Sequence, residues 1–335
     1  MKTIIRHTFY ILHYIALFCL TACEKEIDLS RYHDQQMDET LTLNCIVNPD
    51  SVIAASATRP YFYSSTHDDR EHVSGLHISV IINGEQTDTM RFDESRHLYL
   101  SDTRPQIGDT VTLSTIYCNR EVSAQTHIPD TIAIDTVTVD LKGPMLEHDM
   151  GGSVYKFYYH ITFTDTPDKH NYYFLWIDQR YGTSDYRWET ITNMNWADEM
   201  VFQNMIKDVY NGIGNWDPTS YIGLPFSDRG IDGQTYTLTV EDVVQSWEVD
   251  AYYSELFNDF IRRIRLYSIT EDYYRYMVSI LAQRDDYDIL TGGMLQLGIV
   301  ESRPLHTNVS GGLGFMGGYS VSTRIMDVMS NANVD

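Results

Sequence analysis

The sequence predicts a mostly β protein, in which an N-terminal immunoglobulin-like or transthyretin-like β-sandwich is followed by a larger β-rich domain with a few helices. Two observations predict this fold class. Segments of alternating apolar and polar residues recur about every ten positions with turn signals between them, as in all-β folds. The composition is also rich in residues that favour strands, including 25 tyrosines.

The start of the chain predicts export and lipid anchoring. Met1–Ala22 combines basic residues, an apolar stretch and small residues before Cys23, as an export signal does. The run Leu20-Thr21-Ala22-Cys23 resembles the lipobox of bacterial lipoproteins, in which the cysteine thiol receives the lipid. The alternative is an ordinary secretory signal with a chance cysteine. We expect residues 1–22 to be removed, Cys23 to carry the lipid, and residues 23–37 to form a tether.

An acidic cluster follows the lipobox cysteine directly. The segment Glu24-Lys25-Glu26-Ile27-Asp28 resembles the surface-export signal of Bacteroidetes lipoproteins. The alternative is a solvated tether that holds the domain away from the membrane. The expected location is therefore the outer membrane, with the protein facing outside the cell.

The charge of the chain argues against nucleic acid as a partner. The whole sequence has a net charge of -23. Loss of Lys2 and Arg6 with the signal leaves 22 basic and 47 acidic residues, a net charge of -25. Such a surface repels phosphate backbones. It also favours solubility beside an anionic cell surface.

Residues 38–130 are predicted to form the sandwich, which ends at Pro129. In this region Leu76–Ile82 alternates as a half-buried strand does, and Asn83-Gly84 is a strong hairpin signal because both turn positions favour positive φ. The predicted strands are Thr40–Val47, Val52–Thr58, Leu76–Ile82, Thr87–Phe92, His97–Ser101, Thr110–Cys118 and Glu121–Ile128. Alternation places Cys45 and Cys118 in different environments, so two free cysteines are expected rather than a bridge.

Residues 131–335 are predicted to form the second domain. Helical spacing of apolar residues predicts one helix over Val201–Tyr210, and Ser268-Ile269-Thr270-Glu271 fits a capping box at the start of another. The predicted strands are Tyr155–Phe163, Tyr172–Ile177, Thr235–Val240 and Ile261–Tyr267.

Residues 181–221 are expected to form an aromatic insertion in this domain. Its aromatic residues lie among Gly, Asn and Asp, and aromatic rings on loops can stack on sugars, porphyrins or peptide side chains. The candidate ligand-binding residues are Tyr181, Tyr186, Trp188, Trp196, Trp216 and Tyr221. The alternative is that these rings pack a satellite core beneath a long loop. If the segment serves recognition, its deletion is expected to leave the protein folded.

Two other patterns suggest chemistry only at first sight. Gly312–Gly317 reads G-x-G-x-x-G, but too few residues follow to complete a dinucleotide site, so a tight loop where backbone segments meet is expected. The acidic runs His67–His72 and Arg284–Asp288 lack the spacing of a calcium loop and are expected to be solvated. We therefore expect no cofactor, no metal site and no catalytic residues.

Several segments match Asp-Ser/Thr-aliphatic, which resembles the O-glycosylation sequon of exported Bacteroidetes proteins. Thr131 and Thr136, close to the predicted domain junction, are the glycosylation candidates because they are expected to be the most accessible. The alternative is that they are ordinary strand-edge residues of a Thr-rich protein.

The order of segments along the mature chain is similar to that of a known family. The matching segments are Cys23–Asp28, Asn48-Pro49-Asp50, Arg59-Pro60, Ile128-Pro129, Asn171-Tyr172-Tyr173, Phe226-Ser227-Asp228, Leu266–Tyr274 and Asn308–Gly318. Together they resemble the Bacteroidetes lipoprotein family known as domain of unknown function 4249. The resemblance implies a TonB-dependent receptor of the outer membrane as partner, because members often accompany such receptors. The family has no established catalytic residues, so the resemblance supplies none for this chain.

The function expected from these observations is that of a surface-exposed outer-membrane lipoprotein, a non-enzymatic accessory to a TonB-dependent nutrient receptor. One alternative is a structural or adhesive surface protein. A second is a hydrolase with dispersed carboxylates, since glycosidase carboxylates leave little local signature.

Overall fold

The computed structural model describes residues 39–60, 72–146, 153–180, 187–191, 194–196, 198–210, 223–245, 260–285 and 304–334. The predicted signal at 1–22, Cys23 and the tether at 23–37 lie outside the described residues. In the described part the protein is mostly β with a few helices, which confirms the predicted fold class. Within these same residues, no helix is both long enough and apolar enough to cross a membrane.

The strands follow the alternation of apolar residues along the sequence. In chain order they are β1 (Thr42–Val47), β2 (Ala54–Thr58), β3 (Ser79–Ile82), β4 (Glu85–Thr89), β5 (Arg91–Asp93), β6 (Leu98–Leu100), β7 (Thr110–Tyr117), β8 (Arg120–His127), β9 (Ile134–Leu146), β10 (Ser153–Thr164), β11 (Tyr172–Arg180), β12 (Glu189–Thr190), β13 (Met194–Asn195), β14 (Gly223–Ser227), β15 (Thr235–Gln245), β16 (Ile261–Ile269), β17 (Val309–Ser310), β18 (Leu313–Asp327) and β19 (Ala332–Val334). The helices are α1 (Met200–Tyr210), α2 (Glu271–Asp285) and α3 (Val328–Asn331).

The described strands form three sheets. The largest has nine strands in the order β12-β11-β16-β18-β1-β2-β6-β5, with β14 also paired to β11. The other two have the orders β13-β15-β10-β9-β19 and β17-β8-β7-β3-β4. Because β18 lies between β16 and β1, the largest sheet contains strands from both predicted domains.

The buried apolar side chains form two clusters. One contains residues between 41 and 128 together with Val309 and Met316, and it lies between the largest sheet and the sheet of β3, β7 and β8. The other contains residues between 134 and 328, and it lies between the largest sheet and the sheet of β10 and β15. The likeness of the N-terminal region to an immunoglobulin or transthyretin sandwich stays a prediction.

The glycine-rich run near the C-terminus was expected to be a tight loop, and this expectation is wrong. Leu313–Asp327 is one long strand that pairs in parallel with β1 and antiparallel with β16. A Cβ on Gly314 would lie 2.1 Å from the carbonyl oxygen of Leu43, and one on Gly318 would lie 1.9 Å from that of His127. The glycines therefore allow neighbouring backbones to approach β18 closely.

The predicted capping box at residues 268–271 is also wrong, because the helix begins later than this motif requires. Ser268 lies within β16, because pairing with β11 and β18 continues to Ile269, and the helix begins at Glu271. Thr270 precedes the helix, and its carbonyl accepts the first helical bond from Tyr274 N at 2.9 Å. Its hydroxyl accepts a bond from Gly318 N at 3.2 Å, which ties the start of α2 to β18.

Both remaining cysteines are free, as the alternation predicted. Cys45 is buried in β1, whereas Cys118 is exposed at the turn between β7 and β8. Cys118 and Asn119 have φ values of 47° and 60°, the left-handed pair typical of a type I′ hairpin turn. The turn is therefore formed by residues 118–119, one residue earlier than the gap at 119–120 between the two predicted strands.

Candidate functional site

The candidate functional site is the outer face of the strands β11, β16 and β18, on the side of the sheet away from the core. The register aligns Asp178, Arg263 and Ile325 in one row and Trp176, Arg265 and Thr323 in the next. Phe174, Tyr267 and Val321 form the third row. Strand alternation produces this arrangement, because Ile264 and Leu266 point into the core and Arg263 and Arg265 therefore point outward. We call Trp176, Asp178, Trp188, Arg263, Arg265 and Tyr267 the arginine–aromatic face.

Asp178 is the centre of the polar contacts on this face. Its Oδ2 accepts bonds from Nε and Nη2 of Arg263 at 2.8 and 2.6 Å and from Nη2 of Arg265 at 2.7 Å. Its Oδ1 accepts a bond from Nε1 of Trp176 at 2.6 Å. The Asp178 side chain is 5% exposed, and the two arginine side chains are each about a quarter exposed. One buried carboxylate thus orients two arginines and a tryptophan.

The guanidinium groups also lie over aromatic rings. Arg263 Cζ lies 4.4 Å from the centre of the Trp188 ring, and Arg265 Cζ lies 5.6 Å from the rings of Trp176 and Tyr267. These distances are within the range of cation–π attraction. The contacts hold the side chains of the face in defined positions, as a binding surface requires.

A cavity of about 580 Å³ lies at the opposite end of the same face, where α2 begins. The rings of Tyr172 and Tyr274 line it, with centres 4.9 Å apart. Its ionisable lining residues are His170, Asp228, Arg229, Asp232, Glu271 and Arg275. The lining thus joins aromatic surface to groups of both charges, as polar ligands require.

Three carboxylates meet at this cavity, and two of them line it. One oxygen each of Asp165, Asp228 and Asp232 lies within 4.8 Å of the others. Asp165 accepts bonds from the Tyr173 hydroxyl and, at 2.8 Å, from Gly233 N. Both of its oxygens are thus used by the protein. The group braces the turn after β14, although its oxygens are of the kind that hard cations prefer.

Burial raises the pKa of Asp228 above its ordinary value, and the neighbouring carboxylates Asp165 and Asp232 act in the same direction. The backbone N–H of Asn171, which donates to Asp228 Oδ2 at 2.6 Å, partly offsets this rise. The cavity therefore contains a carboxyl group whose charge is costly.

The aromatic candidates from the sequence have different positions. Trp188 belongs to the arginine–aromatic face and is partly exposed. Trp196 is fully buried and packs edge-on against Phe202 at 5.3 Å between ring centres. A side chain without exposed surface cannot stack on a ligand. The prediction that Trp196 binds a ligand is therefore wrong, and Trp196 is a core residue. Tyr181, Tyr186, Trp216 and Tyr221 lie outside the described residues.

The expected insertion at 181–221 is not a simple loop. Its described part contains β12, β13 and α1. The side chains of Ile191, Met194, Val201, Phe202 and Met205 from this segment are buried in the core. These buried side chains argue against the expectation that deletion leaves the protein folded, because deletion would remove part of that core.

Thr131 and Thr136 are both exposed, and their glycosylation stays a prediction. Thr131 precedes β9, and Thr136 lies within it opposite Thr162.

The acidic run at 67–72 is described only at His72, whose ring stacks on His97 at 4.7 Å. The end of the other acidic run, 286–288, lies outside the described residues.

Sequence reasoning missed most of the arginine–aromatic face. The signal was present in Ile261-Arg262-Arg263-Ile264-Arg265-Leu266, where strand alternation separates an inward arginine from two outward ones. The pairing of β16 with β11, which brings Asp178 and Trp176 to these arginines, has no local signal. The Asp165 group was missed for the same reason, since Asp165 and Asp228 are 63 positions apart in the sequence.

The fold and site define a β-rich protein with an ordered polar and aromatic outer face. Comparison with protein families matches residues 26–325 to the family described as Domain of unknown function (DUF4249). The chain belongs to this family, which confirms the resemblance to domain of unknown function 4249. A search of curated proteins found no match.

Proposed function

We propose that this protein is a lipid-anchored outer-membrane protein that faces outside the cell and acts, without enzymatic activity, as an accessory to a TonB-dependent nutrient receptor. The lipobox ending at Cys23 carries the proposal, because its spacing and its small residues match the processing of a lipidated cysteine. The acidic segment at 24–28 supports the outward orientation. The association with TonB-dependent receptors that the family resemblance implies supports the partner.

The position of the first strand is consistent with this role. β1 starts at Thr42 and is paired on both sides, by β2 and β18. The anchor is thus connected to an inner strand of the largest sheet, and the 15 residues at 24–38 can span at most about 50 Å. An anchored protein shares the membrane plane with its receptor, so modest contacts are enough for a lasting complex.

The arginine–aromatic face supplies a surface for such contacts. Arginine, tryptophan and tyrosine are enriched where proteins bind each other, and here a buried carboxylate holds two arginines and a tryptophan in place. We propose that this surface, rather than an enzymatic centre, is what the protein presents outside the membrane.

The test is affinity purification from outer membranes in mild detergent, together with fractionation and protease treatment of intact cells. The wild-type protein is expected in the outer membrane, accessible to external protease and in complex with a TonB-dependent receptor. The Cys23→Ala variant is expected to leave the membrane fraction or to accumulate as an uncleaved precursor. Cys118→Ser, at an exposed turn, is the matched control and is expected to behave as the wild type.

Each outcome decides a different part of the proposal. An unmodified N-terminus in the intact mass of the mature protein would exclude the anchor. Wild-type protein that purifies without any receptor would exclude the accessory role, and the structural or adhesive alternative would replace it.

A further inference from the structure

We propose that the arginine–aromatic face binds an extended acidic segment of a partner protein. This inference rests on the proposed accessory role, which requires a protein partner. Its test uses purified components, so it can fail while anchoring and receptor association hold.

The local charge of the face is opposite to that of the whole protein. Within the described residues, the strand register places three arginines and two carboxylates on this face: Arg180, Arg263, Arg265, Asp178 and Asp327. The chain as a whole carries -23. At physiological ionic strength charges are screened beyond about 8 Å, so a segment in contact with the face responds mainly to these arginines. The partner segment must therefore supply acidic groups.

The arginines retain unused hydrogen-bond donors. Asp178 Oδ2 receives three N–H bonds from Arg263 and Arg265. Among the described residues, Nε of Arg265 is buried and has no hydrogen-bond partner. A buried donor without an acceptor is costly, so the protein itself leaves one polar group of this face unsatisfied.

The backbone spacing of the two arginines matches that of an extended peptide. Arg263 and Arg265 lie two residues apart on one face of β16, a separation of about 6.6 Å along the strand. Alternate side chains of an extended peptide repeat at the same distance. Carboxylates at positions i and i+2 of a peptide lying along β16 can therefore meet both arginines.

The neighbouring side chains favour a protein over a polysaccharide. Trp176, Trp188 and Tyr267 beside the arginines have the composition of a protein-binding hot spot. Ile325, 61% exposed at the end of the Asp178–Arg263 row, offers apolar contact to a peptide side chain. An anionic polysaccharide shares the charge, but the repeat of its acid groups is set by its sugars and not by a strand.

The test measures the polarisation of a fluorescent peptide of alternating threonine and glutamate, with the wild-type mature protein in detergent at physiological salt. A peptide of alternating threonine and glutamine is the matched probe. The acidic peptide is expected to bind, and the glutamine peptide to bind at least about ten-fold more weakly, because charge-assisted hydrogen bonds are lost.

The variants assign the binding to the face. Arg265→Gln is expected to weaken the acidic peptide about ten-fold. Arg265→Lys, which keeps the charge but not the planar fork, is expected to have an intermediate effect. Arg120→Gln removes the same charge from an exposed position on β8 and is expected to change nothing. The triple variant Asp178→Asn/Arg263→Gln/Arg265→Gln removes the buried carboxylate together with its two arginine partners. Because this variant contains no unpaired buried charge, its loss of peptide binding cannot be attributed to destabilisation by such a charge.

Two results would overturn the inference. One is unchanged peptide binding in Arg265→Gln and in the triple variant. The other is tighter binding of polygalacturonate than of the acidic peptide. If the same substitutions weaken the binding of polygalacturonate, the face would be assigned to anionic glycans. Loss of peptide binding in a variant that still purifies with the receptor would leave the anchored accessory role intact but would exclude this face as the receptor contact.

Discussion

Arg262 of β16 donates a hydrogen bond to Asp242 of β15 at 2.8 Å, and this ion pair joins the largest sheet to the sheet packed against it. The two side chains are 0% and 3% exposed. The Tyr159 hydroxyl accepts a bond from Arg262 Nε and donates one to Asp242. Burial raises the pKa of Tyr159 well above its ordinary value, so the hydroxyl stays neutral in this network.

Breaking this pair from one side is expected to destabilise the protein strongly. Arg262→Met leaves the Asp242 carboxylate buried without its partner, and the free energy of unfolding should fall by about 3–5 kcal/mol. Urea unfolding followed by circular dichroism measures the loss. Arg262→Met/Asp242→Leu removes both charges and should recover most of the stability. A single variant within about 1 kcal/mol of the wild type would show that the pair contributes little.

Gly314 is expected to be essential for the pairing of β1 with β18. Its φ is 112°, and an added Cβ would lie 2.1 Å from the Leu43 carbonyl oxygen. Gly314→Ala should therefore cost several times as much as Gly108→Ala. Gly108 is the matched control, because its φ of 87° is also left-handed but nothing lies within 4 Å of an added Cβ. The control should cost about 1–2 kcal/mol. Equal losses in thermal unfolding would contradict the steric explanation.

The two cysteines are expected to differ in reactivity. Cys118 is exposed, whereas burial raises the pKa of the Cys45 thiol to about 12. A thiol reagent should therefore label Cys118 in the native mature protein and label Cys45 only after unfolding. If Cys23 carries a lipid thioether, it contributes no thiol in either state. Labelling quantified by intact mass checks both points, and rapid native labelling of Cys45 would contradict its burial.

Thr131 and Thr136 are predicted to carry O-linked glycans. Both hydroxyl-bearing residues are exposed and follow an aspartate, as the sequon requires. Asp130→Ala and Asp135→Ala should remove the modification and lower the mass of the protein by whole glycans. Peptide mass spectrometry of the native protein checks this, and bare threonines in the wild type would exclude it.

Alternation along the sequence was enough to find most strands. Thr110–Cys118 and Glu121–Ile128 match β7 and β8 to within one or two residues, because each side of a half-buried strand leaves a period of two. β18 was missed because its glycines indicate turns when read locally. Their role depends on backbones that are distant in sequence, namely those of β1 and β8.

The site required information that the local sequence does not contain. Trp196 lies among Asn and Asp residues, which is typical of a loop, yet contacts with α1 bury it completely. The outward positions of Arg263 and Arg265 could be inferred from Ile264 and Leu266, but their acceptor Asp178 lies more than 80 residues earlier. Contacts between distant strands decide both outcomes.

Asp228 is expected to make stability depend on pH in a defined direction. Burial and the neighbouring carboxylates raise its pKa in the folded protein. Between its ordinary and its folded pKa the folded state holds the proton more tightly, so the free energy of unfolding decreases as pH rises through this window.

Asp228→Asn removes the charge but keeps an oxygen to accept the bond from Asn171 N. The variant should be more stable than the wild type at neutral pH, and its advantage should vanish as the pH is lowered to about 4, where an ordinary carboxyl group takes up its proton. Asp135→Asn, at an exposed position, is the control and should show no such gain. Urea unfolding at several pH values measures the difference, and a variant less stable than the wild type at neutral pH would show that the Asp228 charge has a stabilising partner.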